Sequence, residues 1–253
     1  MRIDQTKFIV TGAARGLGRC FALELARHGA AVAAGDILDD ELDELLAESE
    51  SLPGTIETRH LDIVNEDSVK DFVSWAGATQ PGLTGLVNNA GILRDGLLVE
   101  REGGWVRKLP TSQWKAVIDT NLTGQFYMAR EVAAHLLESD RKGLIVNISS
   151  VTSGGNPGQS NYAAAKAGLD ADTRTWALEL APYGIRVGGI APGVVDTPIL
   201  GEMDAAHQQD LFSKVPLGRI GRPEEIWLAL RFIIECDYFT GRVIEVDGGA
   251  SFS

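Results

Sequence analysis

Lys7-Phe8-Ile9-Val10-Thr11-Gly12-Ala13-Ala14-Arg15-Gly16-Leu17-Gly18 is the stretch that decides the fold. Lys7 to Val10 is a short, mostly apolar run, as a parallel strand covered on both faces requires. It ends in a glycine-rich turn, and an amphipathic pattern then runs to about His28. Strand, glycine turn, helix is the context in which such glycines cradle a dinucleotide. Gly12 permits the tight turn, Gly16 lets backbone approach a pyrophosphate, and Gly18 lets the helix pack closely. The helix N-terminus adds free N–H groups and a partial positive charge.

Outward from this unit the pattern repeats. Ala31 to Gly35 reads as a second strand ending at Asp36, 18 residues past Gly18. An acid at about that distance holds the adenosine ribose and repels a 2′-phosphate. Asp36 could instead cap the next helix, and Arg15 could meet a 2′-phosphate. On balance NAD is expected over NADP. A charged helix spans roughly 40–50, and a strand from Thr55 to Leu61 closes at Asp62-Ile63. A helix from Glu66 to Ala76 and a strand from Leu83 to Val87 lead to Asn88-Asn89-Ala90-Gly91. Residues 92–111 read as a solvated surface excursion, with a substrate-side flap as the alternative. Ser112 is expected to cap a long helix to about Leu137, with a local kink where Asn121 and Gly124 interrupt it. Strands follow at Gly143–Ile148, Ile185–Ile190 and Arg242–Val246, with helices over 161–182 and from Pro223. This alternation predicts one α/β domain over 1–253. Its doubly wound parallel sheet has about seven strands and helices on both faces. Ligands of such sheets sit at the carboxyl ends of the strands.

Tyr162 and Lys166, within Asn161-Tyr162-Ala163-Ala164-Ala165-Lys166, are four residues apart. On a helix they share a face. A nearby ammonium favours the phenolate, so Lys166 is expected to bring the Tyr162 phenol toward neutral pH, where it serves as a general acid or base.

Composition narrows the function further. A formal net charge of -12 argues against a nucleic-acid surface, which would be basic. Two cysteines, Cys20 and Cys236, give no disulfide framework, and the four histidines have no ligand-like spacing, so no metal is expected. Without a signal-peptide pattern or an apolar run long enough to span a bilayer, the expectation is a cytoplasmic protein with no membrane partner.

The motifs together resemble the short-chain dehydrogenase/reductase family in its non-extended form. They are TGAARGLG from Thr11, NNAG from Asn88, Asn121, the Ser149-Ser150 pair, YAAAK from Tyr162 and PGVVDTP from Pro192. The resemblance covers essentially the whole chain and is nearest the 3-oxoacyl reductase and 3-hydroxyacyl-CoA dehydrogenase branch. It implies a nicotinamide-dependent oxidoreductase that interconverts a secondary alcohol and its ketone, assembled as a homotetramer, with NAD following from the Asp36 reading. It implies that Gly12, Arg15, Gly16 and Leu17 lie against the pyrophosphate and adenosine, that Asp36 holds the ribose, and that Asp62 and Ile63 flank the adenine. Asn89, Ala90 and Gly91 would line the groove, and Val195 and Thr197 would touch the nicotinamide amide. Tyr162 would be the acid/base, Lys166 its tuner and ribose ligand, and Asn121 the holder of a relay water. Members usually place a serine 13 residues before the tyrosine, which selects Ser149. They also use the second polar position after the Asn-x start, which selects Ser150. The strand is the more rigid ruler, because a one-residue slip turns every side chain over, and Ser150 is preferred. Rival readings are an NADP-dependent 3-oxoacyl carrier-protein reductase and a redox-sensing protein without turnover. Specificity is expected from 92–111, 151–160 and 198–216.

Overall fold

In the computed structural model, which describes residues 1–79, 82–201 and 214–250, seven parallel strands form one sheet. They are β1 (Lys7–Thr11), β2 (Ala31–Asp36), β3 (Thr55–His60), β4 (Gly85–Asn88), β7 (Gly143–Ile148), β8 (Ile185–Pro192) and β9 (Val243–Val246), in the order β3-β2-β1-β4-β7-β8-β9. The three central strands β1, β4 and β7 are buried at every position. This is the pattern of a sheet covered on both faces, and here it extends to Lys7, Asn88 and Asn147.

Two apolar layers cover the sheet. One face packs against α1 (Gly16–Arg27), α2 (Asp39–Ser49) and the helix Pro223–Glu235, through Phe21, Leu25, Leu45, Leu230 and Ile233. The other packs against α3 (Glu66–Thr79), α5 (Gln125–Glu138) and α6 (Ser160–Leu180), through Phe72, Val132, Leu136 and Ala177. The chain runs outward through β1, β2 and β3 and then crosses back to β4 on the far side of β1. The carboxyl ends of β1 and β4 therefore flank a topological switch point, where a ligand crevice opens. The doubly wound fold read from the sequence is the one observed.

Two local expectations change. The excursion over 92–111 contains regular structure that the sequence reading did not assign: β5 (Val99–Glu102) pairs antiparallel with β6 (Trp105–Lys108). Gly103 and Gly104 make the turn with φ of 55° and 89°. Two left-handed residues suit a tight hairpin whose turn matches strand twist, and glycine adopts them without strain. The hairpin is nonetheless solvated along nearly its whole length, as the excursion reading expected.

The helix expected from Ser112 starts at Thr111 as α4 (Thr111–Ile118). Pro110 is its N-cap and no side chain caps it, so Ser112 lies inside the first turn. Its continuation is a π-helical turn over Asp119–Gly124, followed by α5. The interruption foreseen at Asn121 and Gly124 is this wide turn.

Candidate active site

Side chains lace the two strand ends at the switch point together. The Asn89 and Ala90 N–H groups donate to Thr11 Oγ1 at 3.0 and 3.1 Å. Asn89 Nδ2 donates to the carbonyls of Thr11 and Gly12 at 3.0 and 3.2 Å. Beneath them the first turn of α1 presses on the glycine loop. A Cβ at Gly18 would lie 2.0 Å from the Gly12 carbonyl oxygen, so only glycine fits.

Above this floor lies a cavity of about 650 Å³. Its size is that of a small-molecule or cofactor site. Gly12, Arg15, Gly16 and Leu17 form one wall, and Asp36, Asp62 and Ile63 form the end beyond β2 and β3. Asn89, Ala90 and Gly91 line the middle, and Val195 and Thr197 close the opposite side. All twelve were singled out in the sequence for binding a cofactor, and the fold gathers them in one space. Asp36 is fixed by backbone. Its Oδ1 accepts from Ile37 and Leu38 N–H at 2.7 and 3.2 Å, and its Oδ2 accepts from Ala14 N–H at 3.0 Å. Asp36 does not cap α2, whose N-cap is Leu38.

Tyr162 and Lys166 enter the same cavity from the first turns of α6, with Ser149 and Ser150 from the end of β7. The two serines diverge, as neighbours along an extended chain must. Ser149 Oγ turns to the Lys166 backbone carbonyl at 3.5 Å. Ser150 Oγ accepts from Thr152 N–H at 3.2 Å, lies 3.0 Å from Thr152 Oγ1, and hydrogen-bonds Tyr162. Lys166 Nζ lies 5.6 Å from the Tyr162 ring centroid and donates to the Ile148 carbonyl at 2.6 Å.

The electrostatics differ from the sequence-based expectation. Burial pushes the Tyr162 phenol up to about 12; the Ser150 hydrogen bond pulls it back, and the Asp95 charge adds to the rise. Burial brings Lys166 down to about 8, against an opposing pull from Asp170. The expected lowering of Tyr162 by Lys166 is therefore not what this structure shows. The ammonium's nearest contact is a backbone carbonyl, and desolvation of the phenol sets the direction of its shift.

Asn121 is fully buried and does not line the cavity. Its Oδ1 accepts from Ile92 N–H at 2.8 Å and its Nδ2 donates to the Ile92 carbonyl at 2.9 Å, pinning the segment after β4 to the π turn.

Three residues beside the catalytic pair were not singled out in the sequence, and of them Gln159 lines the cavity. Gln159 Nε2 donates to Asp95 Oδ2 at 2.8 Å, a contact across 64 residues with no local signature. Asn161 Oδ1 accepts from Tyr162 N–H at 2.8 Å while its Nδ2 donates to the Arg94 carbonyl at 2.9 Å. Asn161 lies in the first turn of α6, whose N-cap is Gln159, so its side chain ties the helix start to the segment after β4 rather than capping the helix. Of the stretches expected to set specificity, 202–213 lies outside the described residues.

Comparison with known proteins places this architecture. The short chain dehydrogenase family model matches residues 6–208. The chain is 41% identical to a 3-oxoacyl-acyl-carrier-protein reductase of Thermotoga maritima, covering 98% of this chain and 99% of that protein. It is 36% identical to the (2S)-[(R)-hydroxy(phenyl)methyl]succinyl-CoA dehydrogenase subunit of Thauera aromatica, covering 99% and 98%. A crystal structure of a short-chain type dehydrogenase/reductase from Mycobacterium marinum superposes with a TM-score of 0.90 at 30% identity, over 97% of this chain and 95% of the other. The chain belongs to the short-chain dehydrogenase/reductase family and is an oxidoreductase of that family.

Proposed function

We propose that this protein interconverts a 3-hydroxyacyl thioester, or a similar secondary alcohol, and its ketone, with NAD preferred over NADP. The observation that carries the reaction is Ser150, Tyr162 and Lys166 around one wall of the cavity whose other walls suit a dinucleotide. Names of relatives with acyl-carrier-protein and CoA substrates support the thioester.

The cavity fits the cofactor at both ends. The α1 N-terminus and the glycine loop offer backbone N–H groups to phosphates. Asp36 is locked at the adenosine end by three backbone donors and keeps acceptor capacity for ribose hydroxyls. A bound nicotinamide accepts or supplies the hydride. The chain's own residues handle the proton. In reduction the Tyr162 hydroxyl donates to the ketone oxygen, Ser150 holds that oxygen by a second hydrogen bond, and Lys166 supplies positive charge as the phenolate forms. Oxidation runs the same proton backward. Val195 and Thr197 face the nicotinamide amide in this reading, while Asn121, whose amide is taken up by the Ile92 backbone, acts by fixing the segment after β4 rather than by holding a relay water with its side chain. Pairing of the helices around 111–138 and 160–180, and covering of the β9 edge, favour a homotetramer. The protein is read as a cytoplasmic enzyme, and among the described residues no helix is long and apolar enough to cross a membrane.

The test is cofactor-dependent turnover of a 3-oxoacyl thioester, with NADH and NADPH compared. NADH should give the higher kcat/KM, and Asp36→Ala should narrow the gap by about tenfold or more, the effect of roughly 1.4 kcal/mol. Equal use of both cofactors by the unmodified protein would sink the preference. Arg15 on the same wall supports the second reading, an NADP-dependent 3-oxoacyl carrier-protein reductase.

The serine pair gives a separate prediction. Ser150→Ala should lower kcat by about 10²–10³, as loss of one donor to a developing oxyanion does. Ser149→Ala, which removes only a long contact to backbone, should stay within about threefold, as changes away from such features do. Stopped-flow single turnovers separate the two, and the reverse ranking would assign the role to Ser149.

A further inference from the structure

Residues 97–109 leave the rim of the cavity as a hairpin and return to it. The root is fixed. Gly96 N–H donates to the Gly158 carbonyl at 2.7 Å, and Asp95 holds Gln159, three residues before Tyr162. Leu109 N–H then closes on the Leu98 carbonyl at 3.1 Å. Beyond that root, and among the described residues, β5 and β6 bond only to each other as a sheet. A lone two-stranded ribbon is marginal in water.

The pairing register sorts its side chains. Val99, Arg101, Val106 and Lys108 share one face, and Glu100, Glu102, Trp105 and Arg107 share the other. The second face pairs its cation internally, since Arg107 lies against both Glu100 and Glu102, and it is left acidic. The first face leaves its cations unpaired by acids: among the described residues Arg101 and Lys108 have no acidic partner, and the valines between them are 56% and 59% exposed. The chain as a whole carries -12, so an acidic partner is repelled by most of its surface and attracted here. The valines suit an apolar strip beside the acids, which a protein helix presents and a lone phosphate does not.

We propose that this face docks an acidic protein carrying the acyl substrate as a thioester, and so delivers that substrate to the adjoining cavity. The inference rests on the thioester reading above. Its test uses the full chain and an Arg101→Glu, Lys108→Glu double variant. Both are assayed with one 3-oxoacyl group on a purified acyl carrier protein and, separately, on CoA. For the carrier substrate the variant's KM should rise about tenfold or more with kcat little changed, while CoA-thioester kinetics stay within about twofold. The wild-type KM for the carrier substrate should also rise with salt, and the variant's should not.

Equal losses on both substrates would make the face a wall of the cavity or a CoA site and overturn the proposal. No loss on either would also overturn it. A changed molar mass by light scattering would assign the face to contact between copies of this chain, and the docking proposal would again be overturned. If the unmodified protein reduces neither thioester yet oxidises a simple secondary alcohol, the thioester reading itself fails, and the docking proposal falls with it. Turnover of the CoA thioester without a carrier effect removes the docking proposal alone.

Discussion

Tyr162→Phe is expected to lower kcat by about 10²–10⁴, the usual contribution of a positioned acid/base. Affinity for the dinucleotide should change little, since the ring still fills its place on α6. The phenol is pushed up to about 12, so at neutral pH it is a protonated donor. A donor at that position is what a ketone oxygen requires as hydride arrives at its carbon. Phenylalanine keeps the ring and deletes the proton, and the deletion also strands Ser150 with only Thr152 as partner. Binding calorimetry with NAD and single-turnover reduction together check this. A variant that keeps more than a tenth of wild-type kcat would remove Tyr162 from the proton path.

The second large effect belongs to Lys166, and it has opposite signs for activity and stability. Lys166→Met should abolish most turnover, because no charge remains to support the phenolate. The same change should make the protein more stable at pH 7. Lys166 is 3% exposed, and burial brings it from 10.5 to about 8. Between those values the unfolded chain binds more protons than the folded one, so stability rises with pH across that window. Below pH 8 the ammonium is present in both states and its full desolvation cost applies, on the order of 3 kcal/mol. Loss of the bond to the Ile148 carbonyl offsets about 1–2 kcal/mol of the gain. Urea titrations of both proteins should show the variant's advantage at pH 7 shrinking through pH 8–10.5. An advantage that does not vary with pH would show that the lysine is not charged and buried together. In the unmodified enzyme, kcat/KM for reduction should decline as pH rises through about 8, as that charge is lost.

What is readable in the sequence follows from the range of each interaction. The β1 turn, the strand–helix alternation and the collection of Gly12, Asp36, Asn89 and Thr197 in one crevice come from short patterns plus the rule for parallel sheets. That Ser149 and Ser150 diverge is accessible because side chains alternate along an extended chain. The hairpin escapes notice although Gly103-Gly104 between Val99 and Val106 carries the signal of a tight turn; its charge-rich strands hide the alternation. The Asp95–Gln159 contact is not accessible, since nothing local links positions so far apart. The direction of the Tyr162 shift goes wrong for a different reason. Spacing tells which residues are neighbours, but not how much water each has lost, and here desolvation decides.

The π turn at Asp119–Gly124 gives the helical stretch from Thr111 to Glu138 a change of phase. Counted in steps of about 3.6 from buried Val117, the inward position near the end would be His135; it is Leu136 that is buried. The rod is thus one residue late, about 100° of rotation. That delay lets Val117 and Leu136 both turn inward while Asn121 points at Ile92 between them. Shortening the wide turn by a single residue would restore an unbroken α-helix. It would also force a choice between the core contacts of the second half and the clamp on the segment after β4.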